Sequence, residues 1–234
     1  MKIIGKLVLS SMLLTAVTAQ AQESLSLSNG CKLTMTKDGD LYNVMFSGFD
    51  EKYRPEDDAP AVLYLYTSRL DSAVVYTAKY NDVTASESSL VCKATITSDA
   101  GTVFIFTDTY TAVEERQSFR MSRKVTVSKV KSADYAFNTL FIVRPVATTP
   151  QKGGYDYFLP SLVYKDNSNM PAYAIGADFD DKWILSREER LPLPLTMMRN
   201  RSTNVSVSLA DYNLSPTTHA DDWGCFHIVN NTMQ

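Results

Sequence analysis

The chain has 234 residues, 44% of them hydrophobic and 21% charged, with 23 basic and 26 acidic side chains and a net charge of −3. That length holds one large all-β domain or two small ones, and the composition excludes a disordered chain. The acidic balance disfavours nucleic acid and anionic membrane surfaces as partners, because both reward basic patches.

The first residues read as a targeting segment. Lys2 and Lys6 precede a mostly apolar run over 7–17, and Ala19-x-Ala21 offers a cleavage site. This is the layout of a secretory signal peptide spanning residues 1–21, which leaves 22–234 as the domain. The apolar run is too short to span a bilayer, which needs roughly 20 residues, and no later segment is apolar enough to cross one. Cys31 lies far from that run, in a poor lipobox, so a soluble exported protein is expected rather than a lipoprotein. Cleavage removes two of the basic residues and none of the acidic ones, which lowers the net charge from −3 to −5. Cys31, Cys92 and Cys225 match no zinc or redox spacing; they permit one disulfide or none, and buried small side chains are the plainer reading.

From residue 24 to 147 the chain reads as strand after strand. "CKLTMT" alternates, and "DLYNVMFSGF" sets Leu41, Asn43 and Met45 on one face against Tyr42, Val44 and Phe46 on the other. "AVLYLYTS", "AVVYTAKY", "SLVCKATITS", "TVFIFTDTYTA", "SFRMSRKVTVSKV" and "YAFNTLFIVRPVA" follow, rich in Val, Thr, Tyr and Phe. In "KVTVSKV" the alternation offers Val125, Val127 and Val130 to a core. "KDGD", "SDAG" and "QKGG" supply turns. No segment of the mature chain carries a long helical period with start and stop signals. Strands joined without intervening helices imply antiparallel sheets packed face to face, a large two-sheet sandwich.

Residues 148–200 are richer in Pro, Asp and Asn, before "NVSVSLADY" restores strand alternation. The least ordinary stretch is "KWILSREERLPLPLTMM", 182–198, with four charged residues in a row at 187–190. Ser186-x-x-Glu189 fits a capping box, so a single helical turn over 186–190 is expected. Pro192 and Pro194 then forbid helix, while Leu191, Leu193 and Leu195 point one way into a core. The result is a rigid loop carrying Arg187, Glu188, Glu189 and Arg190. Such a loop suits ligand contact; a surface salt-bridge cluster is the plainer account.

Catalytic signals are sparse. "HADDWGCFH" gathers His219, Asp221, Asp222, Cys225 and His227 without the spacing of a structural zinc site. Asp178, Asp180 and Asp181 offer oxygen ligands for calcium but lack the EF-hand glycine and glutamate. No metal and no cofactor is expected. Adjacent Glu188 and Glu189 cannot flank one bond, so an acid–base pair would need a distant partner such as Asp166 or Asp180. No nucleophile elbow and no phosphate loop occurs. Tyr155, Tyr157, Phe158, Tyr164, Tyr173 and Trp183 do gather beside Asp166, Asn167, Asn169 and Arg187. Any two of these aromatics, if exposed, would suit a sugar ring.

"TVFIFTDTYT", "SFRMSRKVTV", "FNTLFIVRP", "YDYFLPSLVYKDN" and "WILSREERLPLPLTMM" resemble the N-terminal β-supersandwich of exported six-hairpin (α/α)6 glycosidase-like proteins of Gram-negative bacteria. The resemblance covers roughly residues 24–212. Its most specific parts are Phe158-Leu159-Pro160 with Tyr164-x-Asp166-Asn167, and the run from Arg187 to Pro192 followed by Pro194. It implies a sandwich that packs on a helical toroid and helps to wall a sugar cleft, in the periplasm or outside the cell. Tyr164, Asn167, Trp183, Arg187, Glu188 and Arg190 would face carbohydrate or the helical domain. The family's catalytic carboxylates belong to the toroid, which does not follow here, and the last twelve or so residues resemble the family less. A truncated, non-catalytic carbohydrate-associated module is therefore expected. The alternatives are an autonomous glycosidase using Glu188 or Glu189, and a subunit docking a separately encoded helical domain.

Overall fold

The computed structural model describes residues 22–68, 73–146, 155–159, 163–166, 195–210, 228–229 and 232–233. Its strands run β1 (Gln22–Ser26), β2 (Lys32–Asp38), β3 (Leu41–Gly48), β4 (Glu51–Pro55), β5 (Ala61–Tyr66) and β6 (Val74–Ala78). Next come β7 (Asp82–Ala85), β8 (Ser89–Thr97), β9 (Val103–Val113), β10 (Ser118–Ser128), β11 (Ala136–Leu140) and β12 (Val143–Pro145). The last are β13 (Tyr155–Leu159), β14 (Val163–Asp166), β15 (Leu195–Asn200), β16 (Ser206–Ala210), β17 (Ile228–Val229) and β18 (Thr232–Met233). Every pairing is antiparallel, and the helical residues among those described are two single 3₁₀ turns, Glu56–Asp58 and Glu114–Arg116. The expected all-β sandwich is what the chain forms.

One layer is the sheet β10-β9-β8-β7, built from consecutive hairpins. The facing layer combines β1-β2-β3-β4-β12-β18-β17 with β11-β5-β6. Tyr42 on β3 bridges Tyr80, which lies between β6 and β7, the Tyr42 amide donating to the Tyr80 carbonyl at 2.9 Å. Period-two alternation fills the space between the layers. Leu33, Met35 and Val44 from one side meet Leu63 and Leu65, and both meet Leu90, Cys92, Ala94, Phe104, Phe106 and Tyr110 from the other. Fully burying each large apolar side chain contributes about 1.5–3 kcal/mol.

The strand expected over "YAFNTLFIVRPVA" is broken. Val62 pairs with Leu140 and Pro55 with Val143, so residues 56–61 on one side face only 141–142 on the other. The extra chain is stored in the 3₁₀ turn, where Asp57 and Asp58 take positive φ (52° and 56°), a region that Asp tolerates better than most residues. The Glu56 amide still reaches the Ile142 carbonyl at 3.2 Å across the gap. The layer bends there, and two carbonyls beside the break, Pro60 and Leu140, find their donor in the opposite layer: Arg123.

Two further expectations are corrected or sharpened. Val130 is 69% exposed, because β10 ends at Ser128 and Lys129 turns the chain with φ 52°; Val125 and Val127 pack against the core as expected. Cys92 is buried and Cys31 half-buried, both as free thiols; Cys225 lies outside the described residues.

Candidate functional site

The aromatic region that the sequence singles out maps in part onto the small sheet β14-β13-β15-β16. Its register sets Tyr164 opposite Phe158 and Asp166 opposite Asp156. On the other side of β13, Asp156 pairs with Arg199 and Phe158 with Met197. Because alternate residues share a face, the positions of Asp156, Phe158, Tyr164, Asp166 and Arg199 lie on one side of this sheet. Arg199 is exposed, and so are Ser206 and Ser208, which continue that side on β16. The opposite side carries fully buried Met198. Tyr164 therefore shares the register side of Arg199. Asn167, Trp183, Arg187, Glu188 and Arg190 lie outside the described residues, as do Glu189, Trp223, the residues 178–181 and the His219–His227 cluster.

Asp156 is the charged centre of this side. Its Oδ2 accepts from Arg199 Nε at 3.0 Å and from Arg199 Nη2, and its Oδ1 accepts from Arg201 Nε at 2.7 Å. The carboxylate is almost fully covered. Burial pushes its pKa upward, but hydrogen bonds from Arg199 and Arg201 outweigh burial and hold the carboxyl below its ordinary value. It stays ionised and cannot serve as a proton donor near neutral pH.

The small sheet is fastened to the main one by a second buried acid. Glu51, at the start of β4, accepts from Asn200 Nδ2 at 2.8 Å and from Thr203 Oγ1 at 2.6 Å. Asn200 ends β15, and its own Oδ1 accepts the Ser202 amide at 2.9 Å, which shapes the turn into β16. The outward strip is thus held by side-chain bonds to a rigid layer.

A third acid lies in the core. Asp108 is fully buried on β9, where both oxygens are used: Oδ1 accepts from Arg123 Nε at 2.8 Å, and Oδ2 accepts from Arg123 Nη2 at 2.7 Å and from the Tyr80 hydroxyl. Tyr80 and Tyr110 share a hydroxyl–hydroxyl bond of 2.8 Å. Arg123 also donates to the Leu140 carbonyl at 2.8 Å and the Pro60 carbonyl at 2.7 Å, with its guanidinium 5.1 Å from the Phe106 ring centre. Burial first, then the neighbouring phenol and carboxylate, pushes the Tyr80 hydroxyl well above its ordinary range, and burial raises the Cys92 thiol to about 12. Enclosed and fully bonded, this cluster is scaffold. Sequence reading missed it, although a signal was there: alternation through "TVFIFTDTYTA" and "SFRMSRKVTV" puts Asp108 and Arg123 on the apolar face of each strand.

Among the described residues no group of three or more His, Cys, Asp and Glu side chains is arranged to hold a metal ion. No helix of the described residues is long and apolar enough to cross a membrane. Set against family models, curated proteins and solved structures, the chain matches none of them.

Proposed function

We propose that this protein is an exported, non-catalytic, carbohydrate-associated β-sandwich module, akin to the N-terminal supersandwich of six-hairpin glycosidase-like proteins. The sugar-facing part is the outward side of β13 and β14. One observation carries the reading: the register aligns Tyr164 with Phe158 and sets Asp166 and Arg199 one step along the same side. Apolar CH faces of a pyranose stack on aromatic rings, while its hydroxyls need acceptors and donors at the ring edge; this strip offers both kinds of group within two residues of each other. The non-catalytic part of the reading draws support from Asp156, Glu51 and Asp108. Each of these buried carboxylates already accepts hydrogen bonds from arginines or neutral donors, and the arginines hold Asp156 below its ordinary value, whereas general acid catalysis needs a carboxyl raised toward neutrality.

Isothermal titration of the mature chain against a panel of neutral and acidic plant and host glycans tests the proposal. Saturable binding of at least one glycan, with no release of reducing ends over the same period, is the expected result. An absence of binding across the panel removes the carbohydrate reading, and hydrolysis removes the non-catalytic one.

A further inference from the structure

The outer side of the main sheet holds an arrangement that neither the fold nor the sugar reading uses. Arg54 on β4 and Arg144 on β12 are direct register partners. Directly opposed residues in an antiparallel pair have Cβ atoms about 4.5–5.5 Å apart, and like charges at such positions repel. Lys52 sits two residues before Arg54 on the same side and is exposed; Ser47 is its partner on β3, and exposed Lys32 on β2 is the partner of Ser47. Four cations thus lie on the outer side of three strands of one sheet, β2, β4 and β12, in a chain whose net charge is −3.

Neutralisation is incomplete. Arg54 Nη1 donates to both oxygens of Asp58 at 3.2 Å, which settles one charge. Arg54 Nε is sealed from solvent and has no acceptor among the described residues. No hydrogen bond or ion pair of the Arg144 side chain occurs among the described residues, although its partner across the register is another guanidinium. Arginine presents a planar fork of donors that matches an oxyanion in two-point contact. Two such forks in direct register, with an ammonium beside them, make a ready receptor for one negative group.

We propose that Arg54, Arg144 and Lys52 form a binding site for an oxyanion: a carboxylate, sulfate or phosphate group. The ion sits between the two guanidinium groups, removes their repulsion, and gives the donors of Arg144 an acceptor. The site is on a different sheet from the β13–β14 strip and does not depend on that strip binding sugar. The group arrives either as a free ion or as a substituent on an acidic polymer.

The experiment is isothermal titration of the mature chain at low ionic strength with sodium sulfate, and separately with polygalacturonate. Wild type is compared with Arg144→Gln and with Lys124→Gln, the latter removing an exposed charge on β10. The site predicts saturable uptake by wild type, at least a fivefold loss in Arg144→Gln, and no change in Lys124→Gln. Tighter uptake of the polymer per carboxylate than of sulfate identifies a polymer substituent; equal or weaker uptake identifies the free ion. Arg54→Lys keeps the charge beside Asp58 but removes the fork, so it reads the same loss if Arg144→Gln does not fold. No uptake by wild type, equal losses in the Arg144 and Lys124 variants, or full binding by Arg54→Lys overturns the site.

Discussion

Asp108 and Arg123 face each other in the β9–β10 register, each on the inward side that alternation would give to an apolar residue. Their side chains are 0% and 10% exposed, and the guanidinium bonds both the carboxylate and two carbonyls at the bend of the opposite layer. The pair therefore connects a hairpin in one layer to the broken strand pair in the other. A buried charge pair is not a strong source of net stability, since desolvation offsets most of the attraction. What it contributes here is a fixed place for the bend.

Removing one partner leaves the other charged and buried. Asp108→Asn and Arg123→Met should each cost about 3–5 kcal/mol in urea unfolding. The double variant should cost less than the sum by roughly 0.5–3 kcal/mol, the range for residues in one bonded network. Arg123→Met should remain the worse single change, because it also strands the Pro60 and Leu140 carbonyls. Additive losses would show that the two side chains do not act as a pair.

Gly48 is explained by its neighbour. A Cβ at this position would lie 2.5 Å from Cys31 Sγ and 3.2 Å from Cys31 Cα. The thiol can turn away but the backbone cannot. Gly48→Ala should thus destabilise by about 1–3 kcal/mol, the usual cost of overpacking. Adding Cys31→Ala should return part of that loss, measured as the denaturation midpoint of each variant. A neutral Gly48→Ala would mean that β2 and β3 are free to separate there.

The pH dependence has a definite sign on each side. Asp156 titrates below its ordinary 3.8 when folded, so the stability it contributes is full above that value and is lost as the pH falls toward the lowered one. Tyr80 and Cys92 are raised instead, the thiol to about 12. Their contribution is full below the ordinary values of 10.0 and 9.0 and declines as the pH climbs from there toward the raised ones. Urea midpoints taken at about pH 7 and about pH 10.5 should therefore fall on the alkaline side, and fall less in Cys92→Ala. An unchanged slope in that variant would place the alkaline loss elsewhere.

Much of the fold is legible in the sequence because period-two alternation is a local signal. "DLYNVMFSGF" correctly divides into an outer side with Asn43 and Met45 and an inner side with Val44 and Phe46, and Val44 is fully buried. The bend is not legible. Nothing in "YAFNTLFIVRPVA" reports that residues 56–61 must be accommodated opposite 141–142, since that mismatch arises only when two distant strands pair. For the same reason the Arg54–Arg144 opposition is invisible until β4 and β12 are aligned, ninety residues apart in the chain. The candidate sugar strip was half legible: its aromatics stand out by composition, whereas the pairing of Tyr164 with Phe158 and the guard of two arginines on Asp156 follow from register.

The proposed sugar-facing strip is tested most directly by affinity electrophoresis through gels that contain a polysaccharide found to bind, comparing Tyr164→Ala with Tyr157→Ala, whose register position lies on the opposite side of the same sheet. The account predicts that wild type and Tyr157→Ala are retarded alike while Tyr164→Ala migrates at least tenfold closer to its speed in a sugar-free gel. Retardation of Tyr164→Ala equal to wild type would contradict it.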